Sequence, residues 1–195
     1  MANGAVAAPT LHHVSLKTGR QKEMIAWYGT VAGFRVMHKF EGGAWLTNDA
    51  ANHRLGLLCS PQLSDDPNKL LHTGMHHSAF EYKTLDDLLD TYVRLKSEGI
   101  EPHATLDHGM TISLYYVDPD GNSVELQADA FGDWAKSSEF LATDAFVASP
   151  IGTQFDPDQA VAARDDGATA AELHRRTYAG EFPASEPLDL RFPLG

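Results

Sequence analysis

Two short stretches, LHHVSL at residues 11–16 and MHHSAF at 75–80, each set a pair of histidines in an apolar-alternating run. Alternation of that kind marks a strand, and the same succession follows both copies. A polar link leads first to KEMIAWYGTVAGF, with Met24, Ile25, Tyr28 and Val31 near helical spacing. The second copy leads to LDDLLDTYVRLKSEGI, with Leu85, Leu88, Leu89, Tyr92, Val93 and Leu95 apolar. Each helical run meets a glycine, Gly33 or Gly99, followed by Phe34 or Ile100, which suits a left-handed C-terminal cap. Three strand-like runs come next in each half: FRVMHKF, GAWLTN and HRLGLLC, then IEPHATL, TISLYYVD and SVELQAD. Turn signals separate them, Glu41-Gly42-Gly43 and Asn48-Asp49 in the first half and Asp118-Pro119-Asp120-Gly121-Asn122 in the second. Strand, helix and three strands, occurring twice, predict an α+β fold of two tandem βαβββ modules. The modules span about 10–60 and 74–130, pair as one domain over 10–130, and build a curved mixed sheet.

Outside that repeat the chain reads differently. Residues 1–9 form an N-terminal tail whose opening, MANGAVAAPT, has neither the basic start nor the apolar run of a signal peptide. Residues 131–195 form a C-terminal extension with 11 acidic and 5 basic residues, so it carries −6 of the chain's −12 net charge. One short helix pair is predicted there, QAVAARDDG and ATAAELHRRT, before a proline-punctuated tail; the extension is expected to pack on the core or on a partner subunit. The acidic balance disfavours nucleic acid and anionic lipid as partners. No run of 18 apolar residues suggests a membrane span, and the expected compartment is the cytoplasm. A single cysteine, Cys59, excludes an internal disulfide and a thiolate-cage zinc site. Strand modules of this size commonly pair, so a homo-oligomer is expected.

Ten histidines are the chemical signal. His13 and His77 occupy matching places in the two copies. Glu125 lies on the last strand of the second module, where aligning NHRLGLL with GNSVELQ sets Gly56 opposite it. One strand histidine is ordinarily packing, but two in register with a carboxylate form a metal-ligand set. Two imidazoles and a carboxylate on one face leave coordination positions open, as in the facial triad of non-haem Fe(II) sites that use oxygen. Strand alternation would send His12 and His76 to the opposite face. His38, His72, His103 and His174 read as surface or packing residues. Trp27, Trp45 and Trp134 read as apolar mass, and the acidic run Asp156, Asp158, Asp165 and Asp166 as a solvated face lacking the spacing of a calcium loop.

The double module with His13, His77 and Glu125 resembles the vicinal oxygen chelate superfamily, over residues 10–130. Within it, HGMTISLYYVDPDGNSVE, from His108 to Glu125, is similar to the signature of extradiol ring-cleavage enzymes. His108, Leu114-Tyr115, Asp118-Pro119, Gly121 and Glu125 fall in register with that pattern, and Leu106 is its one departure. The resemblance implies a single-domain extradiol dioxygenase that opens a small aromatic diol with O2, the substrate being dihydroxybiphenyl-like, an alkylcatechol or DOPA-like. It implies Fe(II), with Mn(II) as the alternative, held by His13, His77 and Glu125. It also implies three catalytic side chains: His53 as base and then acid beside the oxygen, and His108 with Tyr115 at the substrate hydroxyl oxygen. Other members of the superfamily supply the competing readings. A Mn-dependent thiol transferase has no need of His53, His108 and Tyr115; a glyoxalase-like enzyme wants a fourth ligand where Gly56 stands; a non-catalytic small-molecule-binding resistance protein needs no metal set.

Overall fold

The computed structural model describes residues 7–193, so most of the expected N-terminal tail lies outside the described residues. The chain divides into two compact units, Met1–Ser64 and Asp65–Gly195. The first unit contains β1 (Val14–Thr18), α1 (Gln21–Ala32), β2 (Arg35–Phe40), β3 (Gly43–Thr47) and β4 (Leu55–Cys59). Its four strands are ordered β1-β4-β3-β2, with β1 parallel to β4 and the other neighbours antiparallel. The second unit repeats this with β5 (His77–Tyr82), α2 (Leu85–Ser97), β6 (Ala104–Asp107), β7 (Thr111–Val117) and β8 (Ser123–Asp129). Here the order is β5-β8-β7-β6, again with one parallel pair, β5 and β8. The twofold βαβββ succession is thus present, as two mixed sheets, one in each unit.

The helices form where the apolar spacing places them. On α1, Met24, Tyr28 and Val31 are fully buried; on α2, Leu88, Leu89, Tyr92 and Leu95 are buried. Burying each such side chain contributes about 1.5–3 kcal/mol. α2 starts at Thr84, whose hydroxyl accepts from the Asp87 backbone N–H at 3.1 Å, and its acidic first turn and basic last turn suit the helix dipole. Both helices close at the expected glycines, Gly33 with φ 67° and Gly99 with φ 77°.

The first strand of each unit begins later than the alternation predicts. β1 starts at Val14, paired with Leu55, and β5 starts at His77, paired with Ser123. His12, His13 and His76 therefore precede the ladders, and strand alternation does not govern them.

The C-terminal segment belongs to the second unit. Its predicted helix pair is present as α5 (Pro157–Asp165) and α6 (Ala170–Tyr178), joined by three elements that the sequence does not signal: α3 (Trp134–Phe140), α4 (Asp144–Ala148) and β9 (Thr153–Gln154). These are two to seven residues long, too short to show a period. β9 adds to the sheet edge, pairing Thr153 with Asp107 and Gln154 with Leu106. The acidic run here is largely engaged: Asp156 caps α5, Asp158 meets Lys96 and Tyr92, and Arg164 bridges Asp165 and Asp90. Further on, Leu188 and Leu190 pack against Ala104, Leu106 and Tyr115. No helix among the described residues is long and apolar enough to cross a membrane.

Candidate active site

Cross-strand register builds the centre of the second unit. Glu125 on β8 lies between Ala79 of β5 and Tyr115 of β7. Directly opposed residues share a face, so Glu125 and Tyr115 project together, and His77, two residues before Ala79, joins them. His77 Nε2 lies 2.9 Å from Glu125 Oε2. The Tyr115 hydroxyl lies 3.0 Å from Glu125 Oε1 and 2.9 Å from His108 Nε2. His108 Nδ1 in turn donates to the Ile151 carbonyl at 2.7 Å. Four sequence-predicted residues thus form one unbroken hydrogen-bonded chain, His77–Glu125–Tyr115–His108.

Glu125 is only 5% exposed. Such burial penalises a carboxylate by several kcal/mol unless donors compensate. Burial pushes its carboxyl up, yet hydrogen bonds from His77 and Ser113, the His77 charge and the Tyr115 hydroxyl outweigh it and hold the group below the ordinary carboxylate range. Tyr115 is driven the other way, first by its own burial and then by the Glu125 charge, so its phenol keeps its hydrogen.

In the first unit, His13 and His53 come together, with ring centroids 4.4 Å apart. His53 donates from Nδ1 to Asn52 Oδ1 at 2.7 Å and lies 5.3 Å from the Trp45 ring. Burial lowers the His53 pKa, and the neighbouring His13 and His12 rings lower it further. A ring so disposed is neutral near pH 7 and keeps a lone pair on Nε2.

His12 corrects the expectation that it faces away. Its Nδ1 is 3.1 Å from His13 Nδ1, and ligand atoms of His12, His13 and His53 lie within 4.8 Å of one another. His76 behaves alike, with Nδ1 2.8 Å from His77 Nδ1. Both histidines precede their strands, so the two-residue period does not reach them. The site also has partners that sequence reasoning missed. His76 Nε2 donates to the Leu190 carbonyl at 2.9 Å and His103 Nδ1 to the Asp189 carbonyl at 2.8 Å, while His103 Nε2 meets Ser123 Oγ at 3.0 Å. His103 and His174, read as surface or packing residues, are therefore bonded, the latter to the buried Asp107 at 2.9 Å. Ser113 was detectable, since it stands two residues before Tyr115 on one strand.

The donor set fits a divalent metal. Two cis ligands at about 2.1 Å from an ion are about 3.0 Å apart, close to the 2.9 Å between His77 Nε2 and Glu125 Oε2. The carboxylate is buried, anionic and already oriented, while the imidazole offers a second nitrogen for support.

The fold and this donor set define a class. The chain belongs to the glyoxalase/bleomycin resistance protein/dioxygenase superfamily, whose family model matches residues 10–126. More particularly, it is 42% identical over 151 residues to biphenyl-2,3-diol 1,2-dioxygenase 2 of Rhodococcus globerulus, covering 77% of this chain and 79% of that one. It is 36% identical over 171 residues to biphenyl-2,3-diol 1,2-dioxygenase 3 of the same organism, covering 88% and 90%. Among solved structures, a glyoxylase/bleomycin resistance protein/dioxygenase domain from Frankia shares the fold with a TM-score of 0.53 at 17% identity, over 63% of this chain and 93% of that one.

Proposed function

We propose that this chain is an extradiol dioxygenase, cleaving the ring of a small aromatic diol with O2 to a ring-opened semialdehyde-type product. The observation that carries the reading is the hydrogen-bonded chain His77–Glu125–Tyr115–His108. It joins a buried carboxylate, suited to a metal, to a phenol and an imidazole, suited to proton transfer. The two Rhodococcus relatives support it, and biphenyl-2,3-diol is the first substrate to test.

His13, His77 and Glu125 are proposed to hold Fe(II), with Mn(II) as the alternative, on the strength of the sequence register. Bound ferrous iron would supply Lewis acidity toward the diol oxygens and a route for electrons from ring to O2. His53, whose Nε2 carries a lone pair, takes a proton from the diol and returns it during ring opening. Tyr115 keeps its hydrogen, and with His108 2.9 Å from its hydroxyl the two stand at the substrate hydroxyl oxygen. The expected compartment is the cytoplasm.

The test is direct. Protein purified without oxygen is loaded with Fe(II) or Mn(II), mixed with biphenyl-2,3-diol, catechol and an alkylcatechol, and followed for oxygen uptake and the yellow ring-opened product. The absence of both uptake and colour on every diol with either metal refutes the reading.

A further inference from the structure

The C-terminal segment, chemically silent in sequence, surrounds the hairpin that carries His108. That hairpin joins β6 to β7, and the His108 backbone N–H donates to the Thr111 carbonyl at 2.8 Å. Three parts of the segment grip it from outside. In the turn before β9, the Ile151 carbonyl meets His108 Nδ1 at 2.7 Å. On α6, His174 Nδ1 at 2.9 Å and the Thr177 hydroxyl both bond the buried Asp107 carboxylate, which also accepts from the Gly109 N–H at 2.8 Å. On α3, Phe140 covers Gly109 so closely that a Cβ there would fall 2.2 Å from the ring.

A carbonyl oxygen only accepts, so the ring hydrogen of His108 sits on Nδ1. A neutral ring then keeps its lone pair on Nε2, which competes with Glu125 Oε1 for the one Tyr115 hydroxyl hydrogen, across 2.9 Å and 3.0 Å. The other tautomer would set the Nδ1 lone pair against the carbonyl oxygen. The carbonyl reaches the ring because its neighbour is a glycine. Gly152 has φ 86°, and a Cβ there would lie 2.0 Å from the Asp107 carbonyl oxygen and 2.7 Å from His108 Cα.

We infer, resting on the dioxygenase reading above, that the segment from α3 to α6 positions His108: the Ile151 carbonyl fixes its Nδ1–H tautomer, and Gly152 is the positioning residue that lets the carbonyl reach it. Neither residue touches substrate. Each acts through His108, which with a free Nε2 can accept the Tyr115 hydroxyl hydrogen and with the other tautomer donates to the Tyr115 oxygen instead.

Two readouts test this. Metal-free protein labelled with 15N-histidine reports the tautomer through two-bond ring correlations, recorded above the ordinary imidazole pKa, with His108 assigned by its loss in His108→Gln. The expected wild-type ring is Nδ1–H, and Gly152→Ala should shift it toward a mixture of tautomers. In the Fe(II)-loaded Gly152→Ala protein, kcat on biphenyl-2,3-diol should fall by about a hundredfold, with KM and bound iron within about twofold of wild type. An Nε2–H ring in the wild type overturns the inference, whether or not Gly152→Ala folds. So does a folded Gly152→Ala protein with an unchanged ring spectrum, or one losing iron and kcat in parallel. If the wild type turns over no diol, the dioxygenase reading fails, while the ring spectrum still decides the positioning.

Discussion

The two units share the order of their βαβββ strands and carry contrasting residues at one matching pair of positions. The ladders set Gly56 opposite Ser15 and Trp45 in the first unit, and Glu125 opposite Ala79 and Tyr115 in the second. Gly56 therefore stands where Glu125 stands, and Trp45 where Tyr115 does. A Cβ on Gly56 would lie 2.6 Å from Ser15 Oγ and 2.8 Å from the Trp45 ring. In one unit the indole fills the space, whereas in the other a phenol leaves room for a carboxylate and donates to it at 3.0 Å. The second unit thus carries a buried carboxylate at a position where the first carries none. There the first unit has an aromatic wall beside His53 instead.

The largest expected effect comes from erasing the second unit's half of that contrast. Glu125→Ala should bind no stoichiometric iron and lose turnover by more than about 10³-fold, equivalent to roughly 4 kcal/mol of barrier. Metal analysis after desalting checks the first point and oxygen uptake the second. Full iron content would remove Glu125 from the ligand set and leave the contrast with Gly56 without chemical meaning.

Writing the second unit's carboxylate into the first should fail for steric reasons. Gly56→Glu is expected to cost about 3 kcal/mol, through overpacking against Trp45 and a carboxylate lacking Tyr115-like donors. Trimming the wall should recover part of the loss, so that Trp45→Ala and Gly56→Glu combine to less than the sum of their separate costs by at least about 1 kcal/mol. Urea unfolding of the four proteins measures this cycle. Strict additivity would show that the indole does not set the identity of residue 56.

The asymmetry was legible in sequence because it lies in side chains at fixed register. Alternation aligned GNSVELQ with NHRLGLL, and the ladders agree; helical period located α1 and α2 within a residue or two. The same rule misled at His12 and His76, which precede the ladders and turn toward their neighbours. What stayed dark was backbone chemistry and short elements. The carbonyls of Ile151, Asp189 and Leu190 hold three histidines, and a carbonyl has no letter in the sequence. β9, two residues long, forms only because β6 offers it an edge.

The units differ also in how their helices are supported, and here the expected effect is smallest. In the second unit α5 packs on α2, with Asp158 accepting from the Tyr92 hydroxyl at 2.8 Å and from Lys96. Burial, then the Asp158 bond, pushes the Tyr92 phenol up to about 12. The Lys96 bond, then that from Tyr92, holds Asp158 below its ordinary 3.8 against the opposing effect of burial. A carboxyl lowered on folding contributes stability above its unfolded pKa and loses it as the pH falls through the lowered folded value. More than a third of both Lys96 and Asp158 is exposed, so screening limits their ion pair to no more than about 1 kcal/mol. Asp158→Asn should therefore lower the urea midpoint slightly at pH 7 and leave it near wild type once the pH has fallen through the lowered Asp158 value, where the wild-type carboxyl has lost its charge as well. No deficit at pH 7 would show that α5 supports α2 by packing alone, and the buttress would then owe nothing to the acidic character of the extension.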